Sequence, residues 1–248
     1  MPVFCALLML SLLDGTATAG IRADEATLAL SAPADSPQEK EADAVLKRCL
    51  QSSRKGVMRG VTMVAHFAGR IPKLQKTATV DASRHISREG AVEYTVNERN
   101  GDSTVQKELI FRFMGGESES AGKDNSKVAV NEANYKFKYK GKRQKDDRMA
   151  YVFEISPRKK REGLFKGEIW VDEESCLTVR EAGRFVKSPS VFLKKVEFTR
   201  EYTIRDGLAV PKMMQVNSET RFWGVAELNI QYGELTFEDP RSINGNGL

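Results

Sequence analysis

From Val57 to the end of the chain one pattern dominates: apolar side chains recur at every second position. Val61, Met63, Ala65 and Phe67 alternate with polar or small residues, as do Val92, Tyr94 and Val96, then Leu109, Phe111 and Phe113. The pattern returns at Met149, Tyr151, Phe153 and Ile155, and at Phe165, Gly167, Ile169 and Val171. A long run follows from Phe192 through Val196, Phe198, Arg200 and Tyr202 to Ile204. The last runs are Leu208, Val210, Met214 and Val216, then Phe222, Gly224, Ala226, Leu228, Ile230 and Tyr232. Successive side chains of a strand point to opposite faces, so this period makes strands with one buried and one wet face. Turn signals separate them at Asn100-Gly101-Asp102, at Asp172 to Ser175, and at Asp206-Gly207, a type I′ hairpin pair. The expectation is a meandering antiparallel sheet of about ten or eleven strands, strongly curved because strands this long must coil. Gly115 to Lys127 is polar and glycine-rich and is expected to be a loop, with a short helical turn over Val128–Asn134.

One helix precedes the strands. Ser36 is placed as N-cap, Pro37 at the first helical position, and Glu39 completes a capping box. Ala42, Val45, Leu46, Cys49 and Leu50 then form a single apolar stripe, and Gly56 ends the helix. The fold class expected is α+β, mainly antiparallel β. The chain shows no internal repeat and no second composition regime, so residues 36–240 are taken as one domain.

The N-terminus carries a targeting signature. Val3 to Leu13 is an apolar run too short to span a bilayer, followed by Ala17-Thr18-Ala19. Residues 1–19 are expected to be a cleaved export signal, 20–35 a flexible leader and 241–248 a tail, which places the mature chain in the periplasm; a frayed apolar terminus on a cytosolic protein is the alternative. Cleavage removes Cys5 and leaves Cys49 and Cys176. These two could pair, but the position of Cys49 on the apolar stripe favours a small core residue.

Chemistry-bearing motifs are scarce. There is no nucleophile elbow, P-loop, dinucleotide fingerprint or zinc-protease motif, and the two histidines, His66 and His85, stand at no metal-ligand spacing. Asp172, Glu173 and Glu174 share a turn, where a solvated role is expected. No enzyme, cofactor or metal is called for. The formal net charge is +5, too small an excess to name nucleic acid as partner. The basic residues are clustered, however: Lys136, Lys138, Lys140, Lys142 and Arg143 in one run, and Arg158, Lys159, Lys160 and Arg161 in the next link. Alternation with Tyr135, Phe137 and Tyr139 fits a strand with a solvated lysine face; the functional reading is contact with an anionic membrane surface.

The stretch from Asn134 to Leu235 resembles the LolA-like superfamily of periplasmic outer-membrane lipoprotein carriers and sorting proteins. The resemblance rests on the order of Tyr151 to Pro157, Gly167-Glu168-Ile169-Trp170-Val171-Asp172, Val179 to Gly183, Phe198 to Tyr202, and Arg205-Asp206-Gly207-Leu208-Ala209-Val210-Pro211. It implies an unclosed β-barrel whose concave face is covered by helices and which binds acyl chains between sheet and lid. A lid helix between the two halves of the sheet is poorly indicated here, and no arginine is assigned the part of holding a lid shut; Arg70, Arg84 and Arg112 are candidates by type alone.

The expected function is a monomeric, non-catalytic carrier of lipid or acylated lipoprotein. Strand parity selects Phe111, Phe113, Tyr151, Phe153, Ile169, Phe198, Tyr202, Met214, Leu228 and Ile230 as its cavity lining, a dry core being the alternative. A sensor or interaction module of the same fold, and an envelope enzyme using Asp172 and Glu174, are the rival readings.

Overall fold

The computed structural model describes residues 37–52, 58–121, 126–188 and 193–238. The export signal, the leader, the Ser36 cap, Gly56, Phe192 and the tail lie outside the described residues.

Alternation produces ten strands in a single antiparallel sheet. They are β1 (Val61–Ile71), β2 (Lys76–Ile86), β3 (Val92–Gly101), β4 (Tyr135–Lys145), β5 (Arg148–Pro157), β6 (Phe165–Asp172), β7 (Thr178–Phe185), β8 (Leu193–Arg205), β9 (Leu208–Thr220) and β10 (Gly224–Phe237). Their order across the sheet is β3-β2-β1-β10-β9-β8-β7-β6-β5-β4. Two meanders therefore meet at the β1–β10 pair, and β3 and β4 are open edges, so the barrel is not closed. The Asp206-Gly207 pair joins β8 to β9 with positive φ at both residues, 51° and 73°, as the type I′ turn requires. The strand β2 escaped the sequence pattern. Its buried positions are Ala78, Val80, Ala82, Arg84 and Ile86, two of them too small and one too charged to mark a face.

The face that carries Phe67, Phe153, Phe198 and Ile230 is covered by two helical pieces from different parts of the chain. The first is α1 (Pro37–Ser52), whose Ala42, Val45, Leu46 and Cys49 are buried against the β4–β6 half. The second corrects the sequence reading. Ser103 to Ser120 is neither a strand through Leu109, Phe111 and Phe113 nor a loop from Gly115. It is a run of α2 (Ser103–Val105), a π-helical stretch (Gln106–Phe111) and α3 (Arg112–Ser120). Asp102 caps it, its side chain accepting from the backbone N–H groups of Thr104 and Val105 at 2.8 and 3.1 Å. Val105, Ile110, Phe113 and Met114 are buried on the β1–β3 and β10 half of the sheet. Helical spacing wins because these residues lie on one side of a helix, whereas a strand would send Ile110 and Met114 to water. Between α3 and β4 the chain makes turns, with the amide of Tyr135 donating to the carbonyl of Asn131 at 2.9 Å.

The two lids are fastened by different chemistry. Cys49 on α1 and Cys176 in the β6–β7 turn are joined by a disulfide across a sequence separation of 127. The pairing that the sequence leaves open is thus made, and Cys49 is also the small buried residue expected from the stripe. Glu41 adds two bonds, accepting from Tyr151 Oη at 2.7 Å and from Lys142 Nζ at 3.2 Å. The second lid has no covalent tie. It sits close because Gly69 of β1 lies beneath it: a Cβ there would come within 2.8 Å of Val105 Cγ1 and 3.3 Å of Ile110 Cγ1.

A loop as long as the one closed by Cys49–Cys176 contributes roughly 4–5 kcal/mol by chain entropy. The double variant Cys49→Ser/Cys176→Ser is expected to lower the urea midpoint accordingly. A thiol reductant should lower the wild-type midpoint to the same value and leave the variant unchanged.

Candidate functional site

A strand face made of Phe, Tyr, Ile, Val and Leu should hold no charge, yet four lie between this sheet and its cover, three on strands and one on α3. Arg84 of β2 and Glu117 of α3 form a forked ion pair, with Nη2 to Oε1 at 2.6 Å and Nε to Oε2 at 3.3 Å. Their side chains are only 7% and 14% exposed. Tyr94 of β3 donates its hydroxyl to the same carboxylate. Across the sheet Arg200 of β8 donates to Glu181 of β7 at 3.2 Å, and Tyr202 donates to the same Glu181 oxygen at 3.3 Å. Tyr232 of β10 stands between the two pairs, lining the same pocket as Arg84, Glu117 and Arg200.

The electrostatics follow from this burial. Desolvation pushes the Glu117 carboxyl up, but the Arg84 charge and the bonds from Arg84 and Tyr94 outweigh it and hold the group below the ordinary range. Burial, with the Glu117 charge next, drives the Tyr94 hydroxyl well above its ordinary value, and burial does the same to Tyr202 and Tyr232. None of these phenols ionises near neutrality. Tyr94 serves as a donor to Glu117 and Tyr202 as a donor to Glu181.

The pocket between α3 and the sheet has a volume of about 70 Å³. That is well under the roughly 300 Å³ at the small end of ligand sites. Phe113, Tyr202 and Met214 of the expected lining face it, beside Arg84, Glu117 and Tyr232. Tyr151, Phe153, Ile169, Phe198, Leu228 and Ile230 are buried within the core under the lids, and Phe111 is half-buried on the lid rather than on a strand. Aromatic contacts fill the floor: Phe165 and Phe198 ring centres lie 5.0 Å apart, and Phe67 and Phe113 6.0 Å apart. The pocket has no room for an acyl chain in this structure.

Sequence reasoning missed the polar centre of the site. Of the three arginines set out by type, Arg84 meets the lid; Arg112 pairs within its own helix with Glu108 at 2.7 Å, and Arg70 is exposed. The available signal was a charged residue at a buried strand position. Arg84 follows Ala78, Val80 and Ala82 in parity, and Arg200 lies between Phe198 and Tyr202. Glu117 likewise continues the helical stripe Val105, Leu109, Phe113.

Of the turn carboxylates Glu174 is exposed, as expected, and Asp172 is not. Asp172 is 1% exposed rather than solvated; it takes a fork from Arg148 at 2.7 and 2.9 Å and also accepts from the amide and hydroxyl of Ser175. Burial alone pushes the Asp172 carboxyl up, and the Arg148 and Ser175 bonds overcome this and hold it below the ordinary carboxylate range. His66 is exposed and bonds Asp81 at 2.6 Å on the outer face. Among the described residues no cluster of three His, Cys, Asp or Glu could hold a metal ion.

The basic residues divide into two groups. Lys142 is engaged by Glu41 and Glu173, Lys140 reaches Glu154, Arg143 lies over the Trp170 ring at 6.0 Å, and Arg158 donates to the carbonyls of Glu132 and Tyr135. Lys136, Lys138, Lys159 and Lys160 are exposed and make no ion pair among the described residues.

Breaking a buried pair by removing one partner costs about 3–5 kcal/mol, whereas replacing both by apolar groups is often neutral. Glu117→Gln is thus expected to destabilise strongly, and Arg84→Met/Glu117→Leu to recover most of the loss. Because the folded carboxyl lies below its unfolded value of about 4.3, its stabilisation is complete above that pH. It drains away as pH falls through the lower folded value. Urea midpoints measured from pH 7 to pH 3 should fall more steeply in wild type than in Glu117→Gln.

No family model matches the chain, and no curated protein matches it. Among solved structures the chain is similar to a LolA superfamily protein from Nitrosomonas europaea, at 10% identity over 80% of this chain and 94% of that one, TM-score 0.40. It is also similar to an outer membrane lipoprotein-sorting protein domain from Vibrio parahaemolyticus, at 14% identity over 82% and 96%, TM-score 0.39. A third similarity is to the Pseudomonas aeruginosa MucA/MucB complex, at 10% identity over 80% and 99%, TM-score 0.26. The superfamily named by the first of these is the one that the order of motifs from Asn134 to Leu235 resembles.

Proposed function

We propose that this protein is a non-catalytic periplasmic carrier, acting as a monomer, that holds the acyl chains of a lipid or lipoprotein between the sheet and the α2–α3 lid. The observation that carries the reading is the contrast between the two lids. The lid over β4–β6 is fixed by a disulfide, while the lid over β1–β3 and β10 is held by apolar contacts around one buried ion pair. Beneath the second lid lie Phe67, Leu228 and Ile230, an apolar floor that an acyl chain can take over once the helix lifts. Each methylene buried there contributes about 0.8 kcal/mol, so a chain of a dozen carbons contributes about 10 kcal/mol toward offsetting the lid contacts and the latch. Cargo exchange takes place at an anionic membrane surface, which the exposed lysines Lys136, Lys138, Lys159 and Lys160 suit by charge. The open edges β3 and β4 favour a second reading, an interaction module that accepts a partner's strand; a stable partner would then copurify.

The test uses a fluorescent dodecanoyl probe. Every 1.4 kcal/mol removed from the closed state raises the open population tenfold and tightens apparent binding equally. Glu117→Gln and the charge-neutral Gly69→Val, which wedges the lid upward, are both expected to bind the probe at least tenfold more tightly than wild type. Arg84→Met/Glu117→Leu should bind no better than wild type. Absence of probe binding in all four proteins, with the fold intact by circular dichroism, rejects the carrier reading.

A further inference from the structure

At the end of the sheet away from the Arg84–Glu117 pair, where β4 begins and β5 turns into β6, a second cleft of about 200 Å³ opens. Its walls are the turns before β4 and the β5–β6 link, and its lining includes Ser126, Lys127, Asn134, Lys159, Arg161 and Leu164. Three of these are cations and none is a carboxylate, unlike the first pocket, where Glu117 and Glu201 face Arg84 and Arg200. Among the described residues the acidic ones nearest in sequence, Glu132 and Glu162, do not line it.

The walls are fixed by hydrogen bonds. Arg161 Nη1 donates to the carbonyl of Lys127 at 3.0 Å, which joins the two sides and holds the guanidinium in place. Asn134 Nδ2 donates to the carbonyls of Ser126 and Ala129 at 2.8 and 2.9 Å, and Arg158 Nε to those of Glu132 and Tyr135. Arg161 keeps further N–H donors, and Lys127 and Lys159 make no ion pair among the described residues. A planar guanidinium held in one orientation, flanked by two ammonium groups, matches a tetrahedral oxyanion.

We infer that this cleft binds a phosphate group, presented by an anionic phospholipid headgroup. The volume admits one headgroup phosphate, and the exposed Lys136, Lys138 and Lys160 continue the positive surface outward from it, as a bilayer plane requires and a small solute does not. The cleft adds to the acyl-carrier reading and does not depend on it, because it lies at the opposite end of the strands from the lid latch.

Two arms test it. In the first, wild type, Lys159→Gln/Arg161→Gln and the charge-matched control Arg205→Gln/Lys212→Gln are sedimented with phosphatidylglycerol and phosphatidylcholine vesicles. In the second, glycerol 3-phosphate and inorganic phosphate are titrated while the amides of Asn134 and Leu164 are followed by NMR. The expected result is binding of wild type to phosphatidylglycerol that weakens about fivefold for each charge removed from the cleft. The control should change less than twofold, and the small phosphates should shift both amides only weakly. Tight binding of the small phosphates without vesicle binding keeps the site and assigns it to a soluble phosphorylated compound. Equal loss in the cleft variant and the control, or no binding in either arm, overturns the inference. Uptake of the dodecanoyl probe by Glu117→Gln is read separately, so failure of the cleft leaves the carrier reading standing, and the reverse.

Discussion

A ten-stranded antiparallel sheet that does not close has more apolar area on one face than this chain has helix to cover it, and every other feature of the fold answers that deficit. The curved sheet packs part of the face against itself, through contacts such as Phe165 with Phe198 and Phe185 with Phe198. Two helical pieces cover the rest, each laid over one half. Between them the sheet keeps a polar centre, Arg84, Tyr94, Glu117, Glu181, Arg200, Tyr202 and Tyr232, in which each carboxylate is matched by an arginine and a phenol. No described buried side-chain polar atom lacks a partner, which is what allows charges to remain inside an aromatic core.

The polar centre sets the character of the second lid. An apolar contact loosens gradually as a helix lifts. A buried ion pair does not: separated by a few ångströms without water, both charges are stranded, so partly open positions are disfavoured relative to closed and fully solvated ones. In the proposed carrier the lid over β1–β3 therefore moves between two well-separated states rather than through a continuum. The lid over β4–β6, tied at Cys49 and braced by Glu41, has one.

How much of this was legible in the sequence depends on whether the information is local. The two-residue period set out most strands, and the Asp206-Gly207 turn was readable because only a few residue types accept positive φ at two successive positions. The second lid was misread because Leu109-Ile110-Phe111-Arg112-Phe113-Met114 satisfies two periods at once. Its odd positions suit a strand, its Ile110 and Met114 suit a helix, and the π-helical stretch shifts the spacing that would have settled the matter. The strand β2 was lost for the opposite reason, since Ala78 and Ala82 carry too little apolar surface to mark a face. Arg84 was a candidate by type alone and Glu117 fell in a stretch read as polar loop; their meaning lies in a pairing across thirty-three residues. The disulfide spans farther still, and nothing near either cysteine announces the other.

The strand order has a consequence for how the chain assembles. β1 finds its second neighbour only in β10, so the strand made first cannot be fully paired until the strand made last is available. The run from β4 to β10 is a series of adjacent hairpins, which forms from short loops and therefore early. The β1–β3 group can pair among its own members but must wait for the seam. A chain emerging N-terminus first through a membrane pore would thus hold its first hairpins and the α2–α3 helix exposed for the whole time of emergence. That interval is set by the length of the polypeptide rather than by the stability of any contact, and it makes the β1–β10 seam the closing stitch of the protein.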